Sequence, residues 1–180
     1  IAGCITICAE VNSSAAKKRH EQGWVDEITT SADEAIDMAQ SFQKEKIARS
    51  IAYLGNIVDL WDRMAERKIP VDLGSDQTSL HNPWAGGYYP QGMGYEEANE
   101  MMASDPVEFK SRIKTTLKKH VTAINTLVDQ GMYFFDYGNA FLLESSRAGA
   151  EIMDADGEYF RYPSYVQDIM GPMCFDYGFG

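Results

Sequence analysis

Short apolar runs alternate along this chain with longer stretches in which apolar residues recur every three or four positions. Ile5 to Ala9 is almost continuously apolar, the pattern of a strand buried on both faces. Asn12 to Ser14 caps a short basic helix that closes near Gly23, and Trp24 to Ile28 reads as a weaker strand. Ser31-Ala-Asp-Glu34 has the spacing of a capping box, in which the serine oxygen and the glutamate carboxylate satisfy free N–H groups reciprocally. A helix is therefore expected from Ala32 to Lys44. Ser50 to Leu54 forms the next strand. Gly55-Asn56 then opens a helix that buries Ile57, Leu60, Trp61 and Met64 and that Pro70 ends. Val71 to Leu73 is a short strand, and residues 80 to 94, rich in Gly, Pro, Asn and Tyr, form a long loop. Two helices follow. Asp105-Pro-Val-Glu108 starts the second, which carries Phe109, Ile113, Leu117, Val121, Ile124 and Val128 on one face. Met132 to Phe135 is the last strand. Asp136-Tyr-Gly-Asn139 turns it into a helix through Ala150, and a short helix is expected near Ser164 to Met170.

Strand followed by helix, four times over, predicts right-handed crossovers and a mainly parallel sheet with helices on both faces. No internal repeat, low-complexity tract or linker interrupts it, so residues 1–180 read as one α/β domain. The 27 acidic residues outnumber the 16 basic ones, for a net charge of −11, and such a surface repels phosphate backbones and anionic lipid. No apolar run approaches the ~20 residues of a membrane span. The reading is of a protein that binds neither nucleic acid nor membrane. Cys4, Cys8 and Cys174 form no even disulfide framework and no zinc-ligand spacing, which points to a reducing, cytoplasmic compartment. Cys4 and Cys8 lie four apart on one strand face and read as core residues. The chain starts at Ile1 rather than Met and stops in Phe179-Gly180, the look of a section from a larger protein.

Ligands of open parallel sheets bind beyond the carboxyl ends of the strands. Polar residues stand at that edge four times: Glu10, Gly55-Asn56, Asp76-Gln77-Thr78-Ser79 and Asp136-Tyr137-Gly138-Asn139. His81, Asn82, Tyr88 and Tyr89 continue from the third. An acid at a strand end suits a ribose hydroxyl when a glycine-rich turn lies ~20 residues before it, and that turn would have to precede Ile1. Asn56 reads equally as a helix cap or a ligand contact, and Asp76 to Ser79 equally as a self-stabilised turn or a binding loop. Cys174 has no feature of a nucleophile beyond being a lone thiol. Lys17-Lys-Arg-His20 is a solvated helix face.

Taken in order, Gly74-Ser-Asp-Gln-Thr-Ser79, His81-Asn-Pro83, Gly86-Gly-Tyr-Tyr-Pro90, Phe135-Asp-Tyr-Gly-Asn139, Arg161-Tyr-Pro-Ser-Tyr-Val166 and Tyr177-Gly-Phe-Gly180 resemble the urocanase family. Asn139-Ala-Phe-Leu-Leu143 is similar to its longer, eukaryote-like branch. The resemblance spans essentially the whole chain and corresponds to the middle section of the enzyme, its Rossmann-like NAD-binding domain. It implies a first strand and glycine-rich turn before Ile1. The catalytic cysteine would lie well downstream, and no catalytic or metal-binding residue falls within residues 1–180. It further implies a homodimeric lyase of histidine degradation that adds water to urocanate. There NAD+ serves as a tightly held electrophile rather than a hydride carrier. Matched position by position, the coenzyme contacts are Glu10, Asn56, Ile57, Gln77, Thr78, Ser79, Leu80, His81, Tyr88, Tyr89 and Tyr137. Ala15 stands where short bacterial members have an arginine contact. The excised section alone is expected to be inactive and to hold NAD weakly. Two other readings compete: a piece of an NAD-dependent dehydrogenase, and a non-catalytic acidic interaction module that uses the tyrosine-rich loop.

Overall fold

The computed structural model describes residues 3–76, 82–138 and 140–172. Five strands and six α-helices follow in chain order, β1 (Thr6–Glu10), α1 (Ser13–Glu21), β2 (Glu27–Thr29), α2 (Ala32–Glu45), β3 (Ser50–Leu54), α3 (Ile57–Glu66), β4 (Leu73–Asp76), α4 (Tyr95–Ser104), α5 (Pro106–Asp129), β5 (Tyr133–Asp136) and α6 (Ala140–Ala148). A 3₁₀ turn at Pro83–Ala85 interrupts the long loop, and a π-helical segment at Tyr165–Met170 follows a Ser164 cap.

Local chemistry accounts for most element starts. The Asn12 side chain accepts from the Ser14 and Ala15 amides to open α1. Asp105 accepts from Glu108 N–H at 3.0 Å, with Pro106 in the first turn of α5, whose donor would be unpaired in any case. The capping box at α2 forms only in part. Ser31 accepts from Glu34 N–H, but the Ser31 N–H donates to Thr29 Oγ1 and the Glu34 carboxylate accepts from the Thr29 hydroxyl. A hydroxyl two residues upstream, at the end of β2, wins the competition for both groups. Boundaries differ from expectation where turn geometry intervenes. The α3 helix ends at Glu66, before the influence of Pro70, and Lys68 takes a left-handed φ of 52°. β4 and β5 each begin later than their apolar runs suggest and end on aspartates.

All pairings among the five described strands are parallel, yet these strands form two sheets instead of one. β1 and β2 flank β3, and β4 pairs with β5. The α/β class holds; the single sheet is a correction. β3 is almost wholly buried, while β1 alternates exposed and half-buried residues. That corrects the expected two-sided burial of Ile5 to Ala9. Cys4 precedes the strand, and both Cys4 and Cys8 are exposed, not core. The reason is positional: β3 covers one edge of β1, and no described strand covers the other.

The core concentrates around α5. Phe109, Ile113, Leu117, Val121 and Ile124 are all at most 1% exposed and pack with Phe134 of β5 and Phe141 of α6. No helix among the described residues is long and apolar enough to cross a membrane.

Candidate functional site

A crevice of about 740 Å³ opens between the two sheets. One side is the length of β1 and its exit, Thr6 to Val11; the other is β4, Leu73 to Asp76. Gly55-Asn56-Ile57 and the segment Gly86 to Tyr89 close its mouth, and Trp61 and Phe135 line its body. The mouth therefore lies at the carboxyl ends of parallel strands, where the α3 N-terminus also arrives.

Each polar residue at the mouth is held by a nearby partner. Glu10 is half-buried, and its Oε1 accepts from Asn12 N–H at 2.8 Å. Asn56 is buried, its Oδ1 accepting from Val58 N–H at 3.0 Å while its Nδ2 donates to the Tyr89 carbonyl at 2.9 Å. The cap reading of Asn56 is thus realised, and the residue also ties α3 to the loop. A Cβ at Gly55 would lie 2.3 Å from the Tyr53 ring, so a side chain there would require that ring to move. Gly86 needs its freedom for another reason, a left-handed φ of 88°.

The two adjacent tyrosines engage their hydroxyls on two different helices. Tyr89 O–H donates to Asn99 Oδ1 on α4 at 3.0 Å, and the Tyr88 hydroxyl meets His120 Nδ1 on α5 at 2.9 Å. Burial, followed by the charge of Asp76, pushes the Tyr88 phenol well above its usual range, so it stays protonated. Burial alone depresses His120 to about 3. Behind the mouth, Asp76 and Asp136 are register partners at the ends of β4 and β5, both buried. Desolvation first, then the Asp76 field, raises the Asp136 carboxyl, while the Leu142 and Gly138 amides that it accepts from act the other way.

Glu10, Asn56, Ile57, Tyr88 and Tyr89 are thus brought together around one opening. Tyr137 sits at the same end, its N–H donating to the Asp76 carbonyl at 3.2 Å. Its ring does not line the crevice; it stacks on Tyr165 with centroids 5.5 Å apart. Gln77, Thr78, Ser79, Leu80, His81, Asn139 and Cys174 lie outside the described residues. Ala15 is in the first turn of α1. Asp76, read from the sequence as part of a strand-end cluster, lines the crevice. His120 escaped sequence reasoning: it occupies an α5 position one helical turn beyond Leu117 without any motif to mark it. Its place on the apolar stripe was the available signal.

Parallel strands joined by helical crossovers, with a lined crevice at their carboxyl ends, define a Rossmann-like α/β protein. Comparison with known families then narrows the class: the urocanase Rossmann-like domain matches residues 1–169, and the chain belongs to the urocanase family. It is 54% identical to a probable urocanate hydratase of Dictyostelium discoideum and 51% identical to one of Caenorhabditis elegans, each covering 100% of this chain and 27% of the relative. Urocanate hydratase of Mus musculus is 49% identical over 100% of this chain and 28% of its own length. The chain thus spans little more than a quarter of these relatives.

Proposed function

We propose that the crevice mouth receives NAD and that the chain is the coenzyme-binding portion of a urocanate hydratase. The full-length protein would be a cytoplasmic homodimeric hydro-lyase that converts urocanate to 4-imidazolone-5-propionate in histidine degradation. The observation that carries this reading is Glu10. It is a carboxylate at the end of a parallel strand, on a crevice, in a chain of this family. One of its oxygens is bonded to Asn12 N–H, leaving the other for a ribose hydroxyl.

The surrounding residues fit a dinucleotide. Gly86 and Gly87 line the crevice without side chains, and the Tyr88–Tyr89 segment offers an aromatic wall whose hydroxyls are engaged elsewhere. Bound NAD+ would supply an electrophile that activates urocanate toward water. The chain's own part is to bind, orient and exclude solvent: Glu10 for the ribose, Asn56 and Ile57 at the α3 terminus, Tyr88 and Tyr89 as wall. Gln77, Thr78, Ser79, Leu80 and His81, which follow Asp76 in the chain, complete the proposed contact set with Tyr137.

The body of the crevice supports the further reading that residues 1–180 are part of a larger domain. Neither the β1 nor the β4 edge facing it has a strand partner among the described residues.

Purified full-length protein should retain NAD through dilution and hydrate urocanate, and Glu10→Gln should weaken NAD binding by about tenfold. Free exchange of the coenzyme together with hydride transfer would favour the dehydrogenase reading instead. Residues 1–180 alone, titrated calorimetrically with NAD+, should bind weakly or not at all; micromolar binding would overturn that expectation. The interaction-module reading loses ground because Tyr88 is buried and Tyr89 half-buried against the chain's own helices.

A further inference from the structure

His120 is fully buried on α5, yet its Nε2 has no hydrogen-bond partner among the described residues. Leaving such a group unpaired inside a protein forfeits its hydration without replacing it, a net cost to folding. The neighbouring stripe positions, Ile113, Leu117, Val121 and Ile124, are filled by aliphatic side chains that carry no such penalty. The packing around the ring is apolar too, with Phe141 at a centroid distance of 4.7 Å. Apolar packing alone therefore gives no reason for an imidazole here.

The other ring nitrogen supplies the reason. A neutral ring carrying its proton on Nε2 accepts through Nδ1 from the Tyr88 hydroxyl, 2.9 Å away. The two rings also lie nearly parallel, 18° apart with centroids 6.1 Å apart. Tyr88 is 3% exposed and belongs to the wall of the crevice. The next residue is fixed as well, with the Tyr89 hydroxyl on Asn99 of α4 and the Tyr89 carbonyl on Asn56 at the start of α3. Beside the Gly87 N–H bond to the Asn82 carbonyl, three hydrogen bonds to three different helices thus hold a segment that begins with two consecutive glycines. Only the His120 bond reaches into the core.

We propose that His120 is a positioning residue. By holding the Tyr88 hydroxyl inward, it sets segment 86–89 as a rigid wall of the coenzyme crevice. The proposal rests on the NAD reading for its ligand but not for its geometry. His120 touches neither coenzyme nor substrate; it acts through Tyr88.

The test uses the full-length protein with His120→Leu, His120→Gln and Tyr88→Phe, with two readouts. The first is amide hydrogen exchange of Gly87, Tyr88 and Tyr89 in coenzyme-free protein. His120→Leu and Tyr88→Phe should each speed exchange about tenfold, and the double variant should add little, because both remove the same bond. His120→Gln keeps an acceptor in reach and should return exchange to within about threefold of the parent. The second readout is NAD+ affinity, which should weaken about tenfold in His120→Leu and recover in His120→Gln, with KM for urocanate unchanged. Unchanged exchange at 86–89 in folded His120→Leu, or additive effects in the double variant, would overturn the proposal. Should His120→Leu fail to fold, Tyr88→Phe decides alone: unchanged exchange there overturns it equally. A parent protein that binds no NAD+ while the exchange pattern holds would instead remove the coenzyme reading and leave the positioning role in place.

Discussion

The two sides of the crevice are built differently. On the β1 side, the bonds are mostly between neighbours close in sequence. Glu10 bonds two residues ahead to Asn12, and Asn56 bonds two residues ahead to Val58, with one longer bond from Asn56 to the Tyr89 carbonyl. The strand that carries Glu10 is half-exposed. On the other side, Tyr88 is fixed by a residue 32 positions away, and behind that pair stand Phe134, Phe141 and Leu117, each at most 2% exposed. One side is locally specified and thinly covered. The other is specified by packing, and the same substitution should matter more there.

Deep packing gives the largest expected effect. Phe141→Ala should destabilise the protein by about 3–5 kcal/mol, because the cavity would be lined by Phe134 and the His120 ring, neither of which can collapse freely. Urea unfolding measures it, and a loss no greater than that of a β1 substitution such as Ile7→Ala would erase the contrast. Next comes Asn56→Ala, which removes both the α3 cap and the bond to the Tyr89 carbonyl and should cost about 1–2 kcal/mol. A loss of only a few tenths would mean that the local side is more redundant than its bonding suggests.

The smallest effect over a single pH step concerns His120. The folded chain holds it neutral until about 3, whereas an unperturbed histidine titrates near 6.5. Between those values the unfolded state binds the additional proton. The stability that His120 contributes is therefore complete above the unfolded value and is lost as pH falls through the window. The slope approaches about 1.4 kcal/mol per pH unit. Urea midpoints measured across that window should slope less in His120→Gln, and an identical slope in the two proteins would detach the effect from this residue.

How much was legible in the sequence follows the same division. Asn12, Ser31 and Asp105 announced the helices that they cap, because the interaction joins residues two or three apart. β3 was readable to its ends because both faces are covered and its apolar run is unbroken. The carboxyl-edge position of Glu10 and Asn56 followed from strand–helix order alone. By contrast, the reciprocal half of the α2 capping box failed because Thr29 offered a competing hydroxyl, and spacing rules see no competitors. β1 has the apolar run of a strand covered on both faces, but coverage is a property of neighbours, and one of its edges is open among the described strands.

By itself, then, the sequence determined the α/β class, the order of the elements and the acidic surface, since each depends on periodicity, composition or interactions within a few residues, while its ordered motifs carried the resemblance to the family. Only the tertiary structure decided that the described strands divide into two sheets with a crevice between them. It also turned the Tyr88 hydroxyl inward, set Tyr137 against Tyr165 and placed a neutral histidine behind the crevice wall. The physical reason is reach: Tyr88 meets His120 across 32 residues of chain. No local pattern encodes a contact that forms only when separate helices pack around a shared core.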